Sequence, residues 1–280
     1  MKKVEKYPFK RLVFYNCHAN KSYWDEHWRQ LRIEDLLNDS FFKEPFRMYL
    51  SNAGKLLEVG CGLGQHVKML ADMGYDIEGI DFSRSAIRKA KEFDRELSVI
   101  VGDVLSLPYR GCSFSGCISL GVVEHFEEGP EDAIREMHRV LVEDGMLLIS
   151  VPFFNPLRRM KGRIGRYAKL NKGEREFYQY AFTIDEFTSI LKQCGFVPLK
   201  IIKYDAKDGF KDEIPHLRKI GYHFERRSQK IKKTKQIHGE NQYNFLTQLI
   251  LKILNSKILC RVMAHMMLFI AKKGHYEVVH

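Results

Sequence analysis

The sequence has no C-x-x-C pair and no Cys/His cluster at zinc-ligand spacing, although it carries six cysteines: Cys17, Cys61, Cys112, Cys117, Cys194 and Cys260. That absence excludes the common structural zinc modules and thioredoxin-type redox motifs. The scattered cysteines read as free thiols of a reducing compartment. Long apolar runs are also missing. The start, "MKKVEKYPFKRLVFYNCHAN", is basic but has no uninterrupted apolar stretch, so no secretory leader is expected. The most apolar late segment, "NFLTQLILKILNSKILCRVMAHMMLFIAKK", is interrupted by Lys252, Asn255, Lys257 and Arg261, which is too polar for a transmembrane span. No internal repeat and no long low-complexity tract is visible, which argues against a solenoid or a disordered chain.

What is present is an ordinary globular balance over 280 residues: 45% hydrophobic and 29% charged, enough to fill one large core or two small ones. The formal net charge is +11, but it is unevenly spread. The stretch from about Ser51 to Leu157 is acid-rich, whereas bases crowd into "RRMKGRIGRYAKLNKGER" (Arg158 to Arg175) and "RRSQKIKKTK" (Arg226 to Lys235). An acidic core with basic appendages suits an anionic partner, whether phosphate, carboxylate or lipid headgroup; a solvated surface gives the same pattern.

From Lys55 onward short apolar runs alternate with helical periodicity. "KLLEVG", "YDIEGIDF", "LSVIVGD", "GCISLG" and "MLLISVPF" read as five strands. Between them, "QHVKMLADMG" reads as a helix with Val67, Leu70 and Ala71 on one face. "SRSAIRKAKEF" is a helix capped by Ser83, and "GPEDAIREMHRVLVEDG" a helix entered at Pro130 and closed by Gly145. Further on, "TIDEFTSILKQCGF" carries a capping box from Thr183 to Glu186, "VPLKIIKYD" reads as a strand, and "MMLFIAKKG" as a last one. An amphipathic helix with Leu246, Leu249, Ile250, Ile253, Leu254 and Ile258 on one face is expected in between.

Strict strand–helix alternation predicts a parallel sheet covered on both faces, with the ligand beyond the carboxyl ends of its strands. Those ends carry the chemistry. The first strand runs into "LLEVGCGLGQH", a G-x-G-x-G turn of Gly60, Gly62 and Gly64 with Glu58 two residues before it. Asp81 ends the second strand and Asp103 follows the third, while Leu120 to Glu124 end the fourth. The turn spacing and the third acid disfavour a dinucleotide, whose fingerprint is G-x-G-x-x-G.

These four motifs, "EVGCGLG", "IEGIDFS", "VGDVLSLPY" and "SFSGCISLGVVEHF", stand in order between Lys55 and about Phe153. They resemble those of the class I S-adenosylmethionine-dependent methyltransferases, of the branch of small-molecule and quinone-biosynthesis enzymes. Ser115 departs from the acid often found after the aromatic in that family, at a position that is not a cofactor ligand.

The resemblance implies an enzyme with S-adenosylmethionine as cofactor and no metal. It implies that Gly60, Cys61, Gly62 and Gly64 let the backbone approach the methionyl part, with Glu58 on its ammonium. Asp81 would take the ribose hydroxyls, Asp103 the adenine amino group and Val104 the ring through its N–H. Phe82 and Leu105 would wall the pocket, and Leu120 would be a further cofactor-binding residue. His125, just past the fourth strand, is the first candidate for a base; packing against the cofactor is the competing role. His18 and Tyr180 are fallbacks. Trp24 and Trp28 share a helical face and either cover the pocket or pack on the core.

The expected fold is α/β: a Rossmann-like, mostly parallel seven-stranded sheet with its last strand antiparallel, helices on both faces, an N-terminal cap and two insertions. The expected segments are a helical cap over 1–50, a cofactor-binding core over 51–157, and a basic lid over 158–182. A core helix and strand over 183–205, a basic amphipathic insertion over 206–262, and a final strand and tail over 263–280 complete them. The expected reaction is methyl transfer to an oxygen of a small-molecule or lipid-linked, anionic acceptor. The setting is cytoplasmic, and the basic amphipathic segment either lies on an anionic membrane, closes over a lipid-linked phosphate, or packs its apolar stripe on the sheet. An RNA- or ribosome-associated methyltransferase, using the basic appendages on phosphates, is the first alternative, although the N-P-P-Y-type motif of base amino-nitrogen methylation is absent, and a non-catalytic cofactor-binding subunit is the second.

Overall fold

The computed structural model describes residues 3–6, 11–15, 20–37, 41–165, 167, 176–206 and 257–274. The amphipathic segment around Leu246 to Leu254, the lysine run near Lys232, and His18 lie outside the described residues. The chain divides into two compact units, one of residues 1–152, 168–201 and 268–280, the other of residues 153–167 and 202–267.

The first unit holds the large sheet. Its strands are β3 (Leu56–Val59), β4 (Ile77–Asp81), β5 (Val99–Val101), β6 (Phe114–Leu120), β7 (Leu141–Pro152), β9 (Phe196–Tyr204) and β10 (Met266–Lys273), the last two crossing the unit boundary. They lie in the order β5-β4-β3-β6-β7-β10-β9. β3 pairs in parallel with both β4 and β6, β4 with β5, and β6 with β7, while the last strand is antiparallel. This is the expected seven-stranded architecture. The order reverses on either side of β3, so the switch point falls at the end of the strand that carries Glu58 and the glycine turn.

Helices α4 (Gln65–Asp72), α5 (Arg84–Phe93), α6 (Glu131–Val140) and α8 (Ile184–Gln193) accompany the strands. Each packs its apolar stripe inward: Val67 and Leu70 of α4, Ala86 and Ala90 of α5, and Ala133, Ile134 and Met137 of α6 are buried. Ala71, expected on the inner face of α4, is exposed. The caps are where the sequence put them. Ser83 Oγ accepts from Ala86 N and Thr183 Oγ1 from Glu186 N. The Glu186 carboxylate also meets Arg11 Nε at 2.6 Å, tying α8 to the N-terminal region.

Three expected segment boundaries need correction as well. The helix expected to run to Gly145 ends at Val140, because Leu141 pairs with Phe114 and starts β7. The first 50 residues are not wholly helical: β1 (Lys3–Lys6) and β2 (Leu12–Tyr15) precede the helices. The expected lid over 158–182 also contains a strand, β8 (Phe177–Ala181), and β1-β2-β8 form a second, antiparallel sheet. Leu12, Val13 and Phe14 are all buried there, so β2 is covered on both faces.

In the second unit, α7 (Pro156–Arg163) and α9 (Lys257–Met263) are described. Arg158, expected to join an exposed basic run, is fully buried. Its guanidinium donates to Phe153 O at 2.9 Å and to His265 Nδ1 at 2.8 Å, and Asn155 Nδ2 donates to Ala264 O at 2.9 Å. Arg158 therefore acts as an internal brace. Among the described residues no helix is long and apolar enough to cross a membrane.

Candidate active site

The glycine turn is built by the end of β3 folding back on β4. Gly60 N and Cys61 N both donate to Ile80 O, at 2.8 and 3.0 Å, which fixes the turn against the neighbouring strand. Gly60, Gly62 and Gly64 all have left-handed φ (77°, 53° and 75°), a conformation that costs a side-chain-bearing residue energy. At Gly62 there is also no room: a Cβ would lie 2.6 Å from the Trp28 ring.

Asp81 ends β4 beneath this turn. Its Oδ2 accepts from Gly62 N and its Oδ1 from Ser83 N, both at 2.8 Å. Burial raises the Asp81 carboxyl above its ordinary range; the two N–H donors pull it down, and the Glu58 and Asp25 carboxylates add to the rise. Each carboxylate oxygen keeps a free lone pair for a further donor. Glu58, buried on β3, accepts from His66 Nδ1 through Oε1 at 2.9 Å, and its buried Oε2 has no hydrogen-bond partner. Gln65 Oε1, at the first residue of α4, is likewise buried without one. Such orphaned acceptors are costly in a folded protein, and two of them flank this turn, on the strand before it and at the start of the helix after it.

Of the residues singled out from the sequence, Glu58, Gly60, Cys61, Gly62, Gly64 and Asp81 come together through this turn. Phe82 is half-buried and Val104 buried. Leu105, expected as a wall, is exposed. Asp103 stands two residues beyond β5, whose Val101 pairs with Asp81; its Oδ1 accepts from Leu105 N at 2.9 Å. Leu120 ends β6, half-buried, opposite Ser150 of β7. Cys61 and Cys117 are buried free thiols whose acidity burial suppresses, so neither is a nucleophile at neutral pH.

Helix α1 (Lys21–Gln30) lies across the carboxyl ends of three strands. Trp28 meets Gly62 after β3, Asp25 Oδ1 accepts from Ser83 Oγ and Ser85 Oγ (2.6 and 2.8 Å) after β4, and Trp24 meets His125 edge-on at 4.9 Å after β6. Lys89 Nζ of α5 donates to the carbonyls of Trp28, Arg29 and Leu31, which caps the end of α1. The two roles open for the tryptophans are thus combined: the helix packs on the core, and it does so over the strand ends.

His125 sits among Trp24 and Tyr178, and its Nδ1–H donates to Tyr178 O at 2.8 Å. A carbonyl only accepts, so the proton is on Nδ1 and Nε2 carries the lone pair. Burial pushes the imidazole down to about 4, so it stays neutral through the physiological range. Tyr180 OH donates to Glu127 O at 2.7 Å.

Glu124 is a residue that the sequence reading passed over except as the end of the fourth strand. It is buried, Oε2 has no hydrogen-bond partner, and burial pushes its carboxyl up to about 8. The sign of its effect on stability follows. A folded-state value raised above the unfolded value near 4.5 stabilises fully below pH 4.5, and that contribution is lost as pH rises to about 8. Replacing Glu124 by Gln should leave stability similar at pH 4 and raise it by a few kcal/mol at pH 9, read by urea denaturation at both pH values. Parallel pH curves for the two proteins would mean that the carboxyl is not held protonated.

With the geometry in place, the family follows. Residues 57–149 match the family model described as "Methyltransferase domain". Over 145 residues the chain is 27% identical to a protein of Mycobacterium tuberculosis named "Probable S-adenosylmethionine-dependent methyltransferase Rv3030", covering 52% of this chain and 49% of that one. The chain carries a class I S-adenosylmethionine-dependent methyltransferase domain. The chain is also 30% identical over 172 residues to the malonyl-[acyl-carrier protein] O-methyltransferase of Erwinia pyrifoliae, covering 60% of this chain and 61% of the relative. It is 28% identical over 145 residues to the tRNA (carboxymethyluridine(34)-5-O)-methyltransferase ALKBH8 of Mus musculus, covering 51% of this chain and 21% of the relative. The chain spans about half or less of the first curated relatives it matches. S-adenosylmethionine is the cofactor of this family.

Proposed function

We propose that this chain transfers a methyl group from S-adenosylmethionine to an oxygen of a small-molecule or lipid-linked, anionic acceptor. The observation that carries the cofactor assignment is the joint between Asp81 and the glycine turn: a carboxylate fixed by Gly62 N and Ser83 N, with lone pairs left for two hydroxyls. The ligand fits the remaining atoms. The orphaned Glu58 Oε2 suits its ammonium, the left-handed glycines give the turn the tight backbone that a methionyl chain would run along, and Asp103 with Val104 suits the adenine edge.

S-adenosylmethionine, when bound, supplies a methyl group already activated on a sulfonium. The chain's own residues hold and orient. Asp81 would hold the ribose and Glu58 the ammonium, and α1, through Trp24 and Trp28, would exclude water from the strand ends. His125 presents a neutral Nε2 between the rings of Trp24 and Tyr178, an arrangement that favours packing over proton transfer, and burial lowers its affinity for a proton.

Oxygen as the acceptor atom is supported by the names of two relatives, one acting on a malonyl-acyl carrier and one on a tRNA uridine, both at oxygen. The anionic-carboxyl part of the reading follows the relative of which the chain covers 61%, whose named acceptor is a malonyl group on an acyl-carrier protein. The tRNA relative, together with the net charge of +11, supports an RNA acceptor as the second reading.

The test is methyl transfer from labelled cofactor into a cell extract fractionated into lipids, small molecules, protein and RNA. Label is expected in the lipid or small-molecule fraction and should be base-labile if it is a carboxyl ester. Label confined to RNA would replace the first reading with the second. Cofactor binding with no label in any fraction would leave a non-catalytic binding subunit.

A further inference from the structure

The glycine turn and Asp81 account for the backbone and the ribose side of the site; His66 is left over. It is the second residue of α4 and is buried, although a charged or polar residue near the start of a helix ordinarily faces solvent. Two rings hold it. Phe42 meets the imidazole edge-on at 5.1 Å and Phe46 at 6.0 Å, and these two phenylalanines stack on each other at 5.7 Å. The imidazole is wedged, and its Nδ1 is directed at Glu58 Oε1 at 2.9 Å.

The consequence falls on Glu58. A buried carboxylate is tolerated when its oxygens are hydrogen-bonded. One oxygen has a donor from His66, and the other, Oε2, is buried with no partner at all. A rigid donor on one oxygen fixes the rotation of the carboxylate and so fixes where the other oxygen points, just as outer-shell partners orient metal-binding side chains. We infer that His66 is a positioning residue: it holds Glu58 so that Oε2 is presented, pre-oriented, to the ammonium of the cofactor's methionyl group. This rests on the assignment of that ammonium to Glu58. It adds that α3 (Lys43–Tyr49), which carries Phe46, acts on cofactor affinity through His66 without touching the ligand.

The experiment is calorimetric titration of the full chain with two ligands. S-adenosylhomocysteine carries the ammonium; 5′-methylthioadenosine keeps the adenosine but has no amino-acid part. In His66→Leu the affinity for S-adenosylhomocysteine should fall about tenfold or more, the loss of a hydrogen bond to a charged group. The affinity for 5′-methylthioadenosine should stay within about twofold of wild type, a split that general damage to the fold would not give. His66→Asn places an amide N–H near the position of Nδ1 and should restore most of the loss; it also serves if the leucine variant does not fold. Equal weakening of both ligands, or of neither, overturns the positioning role. Glu58→Gln in the same titration separates the two claims. If it binds S-adenosylhomocysteine like wild type, the ammonium assignment itself fails. If it loses affinity while His66→Leu does not, only the role of His66 fails.

Discussion

Replacing Gly62 by Val should reduce cofactor affinity below calorimetric detection. Two independent costs coincide at this residue. Its φ of 53° is in the left-handed region, where a β-branched side chain is strained by about 1–3 kcal/mol. Its Cβ would also lie 2.6 Å from two atoms of the Trp28 ring, a separation that no relaxation of Val alone can relieve. Either the turn shifts or α1 lifts. A shifted turn withdraws Gly62 N from Asp81 Oδ2. A lifted α1 breaks the Asp25 contacts with Ser83 and Ser85 and uncovers the strand ends. Melting temperature should fall as well, because Trp28 packs against the buried cluster of Ile33, Leu63 and Ala86. Gly74→Ala is the control. It has a left-handed φ of 87° but open space around the would-be Cβ, so it should cost some stability and leave cofactor affinity unchanged. If Gly62→Val bound S-adenosylhomocysteine like wild type, the glycine turn would not be the methionyl cradle. If Gly62→Ala with Trp28→Ala bound normally while Gly62→Ala alone did not, the clash rather than the backbone would be the cause.

The central sheet was legible because a parallel strand covered on both faces is a short apolar run, and β3, β4 and β6 each end in a residue that chemistry picks out. Asp81 and the three glycines could be named for that reason: their roles depend on position at a strand end, which the pattern shows. What escaped were features made by distant partners. β2 and β8 are apolar pieces of four and five residues that become a sheet only when Leu12 meets Ala181, and no local pattern announces a pairing across that separation. The end of α6 was overrun for a similar reason: Leu141 continues the helical stripe in sequence, and the competing pairing with Phe114 is tertiary. Arg158 reads as one base in a basic run, and its burial is decided by Phe153 O and His265. His66 and Glu124 belong to the same group. Each is a polar position that sequence periodicity treats as surface, and the rings or strand ends that bury it come from elsewhere in the fold. Glu124 had one available signal, an acid adjoining the candidate base at the end of the fourth strand.

Asp81→Ala should weaken cofactor binding roughly tenfold to a hundredfold, by the usual worth of about 1.5–3 kcal/mol for hydrogen bonds to a charged group. The structure makes the cost larger than a ribose contact alone would. Asp81 Oδ2 and Oδ1 are the acceptors for Gly62 N and Ser83 N, so alanine removes the acceptors of two backbone donors in the turn and in the cap of α5. Apoprotein stability should therefore fall by about 1–3 kcal/mol for each donor left unsatisfied. Asp81→Asn separates the two effects. Its amide oxygen can still accept from one backbone N–H, but its NH2 faces the other donor, and only one acceptor remains for the ligand. Asparagine should recover part of the stability and little of the affinity. Calorimetry with adenosine, which has the ribose hydroxyls and no methionyl group, locates the loss: Asp81→Ala should weaken adenosine and S-adenosylhomocysteine by the same factor. Stability reduced with both ligands bound at wild-type affinity would make Asp81 a brace for the turn and remove it from the ligand. A loss confined to S-adenosylhomocysteine would place Asp81 on the methionyl side, exchanging its role with that assigned to Glu58.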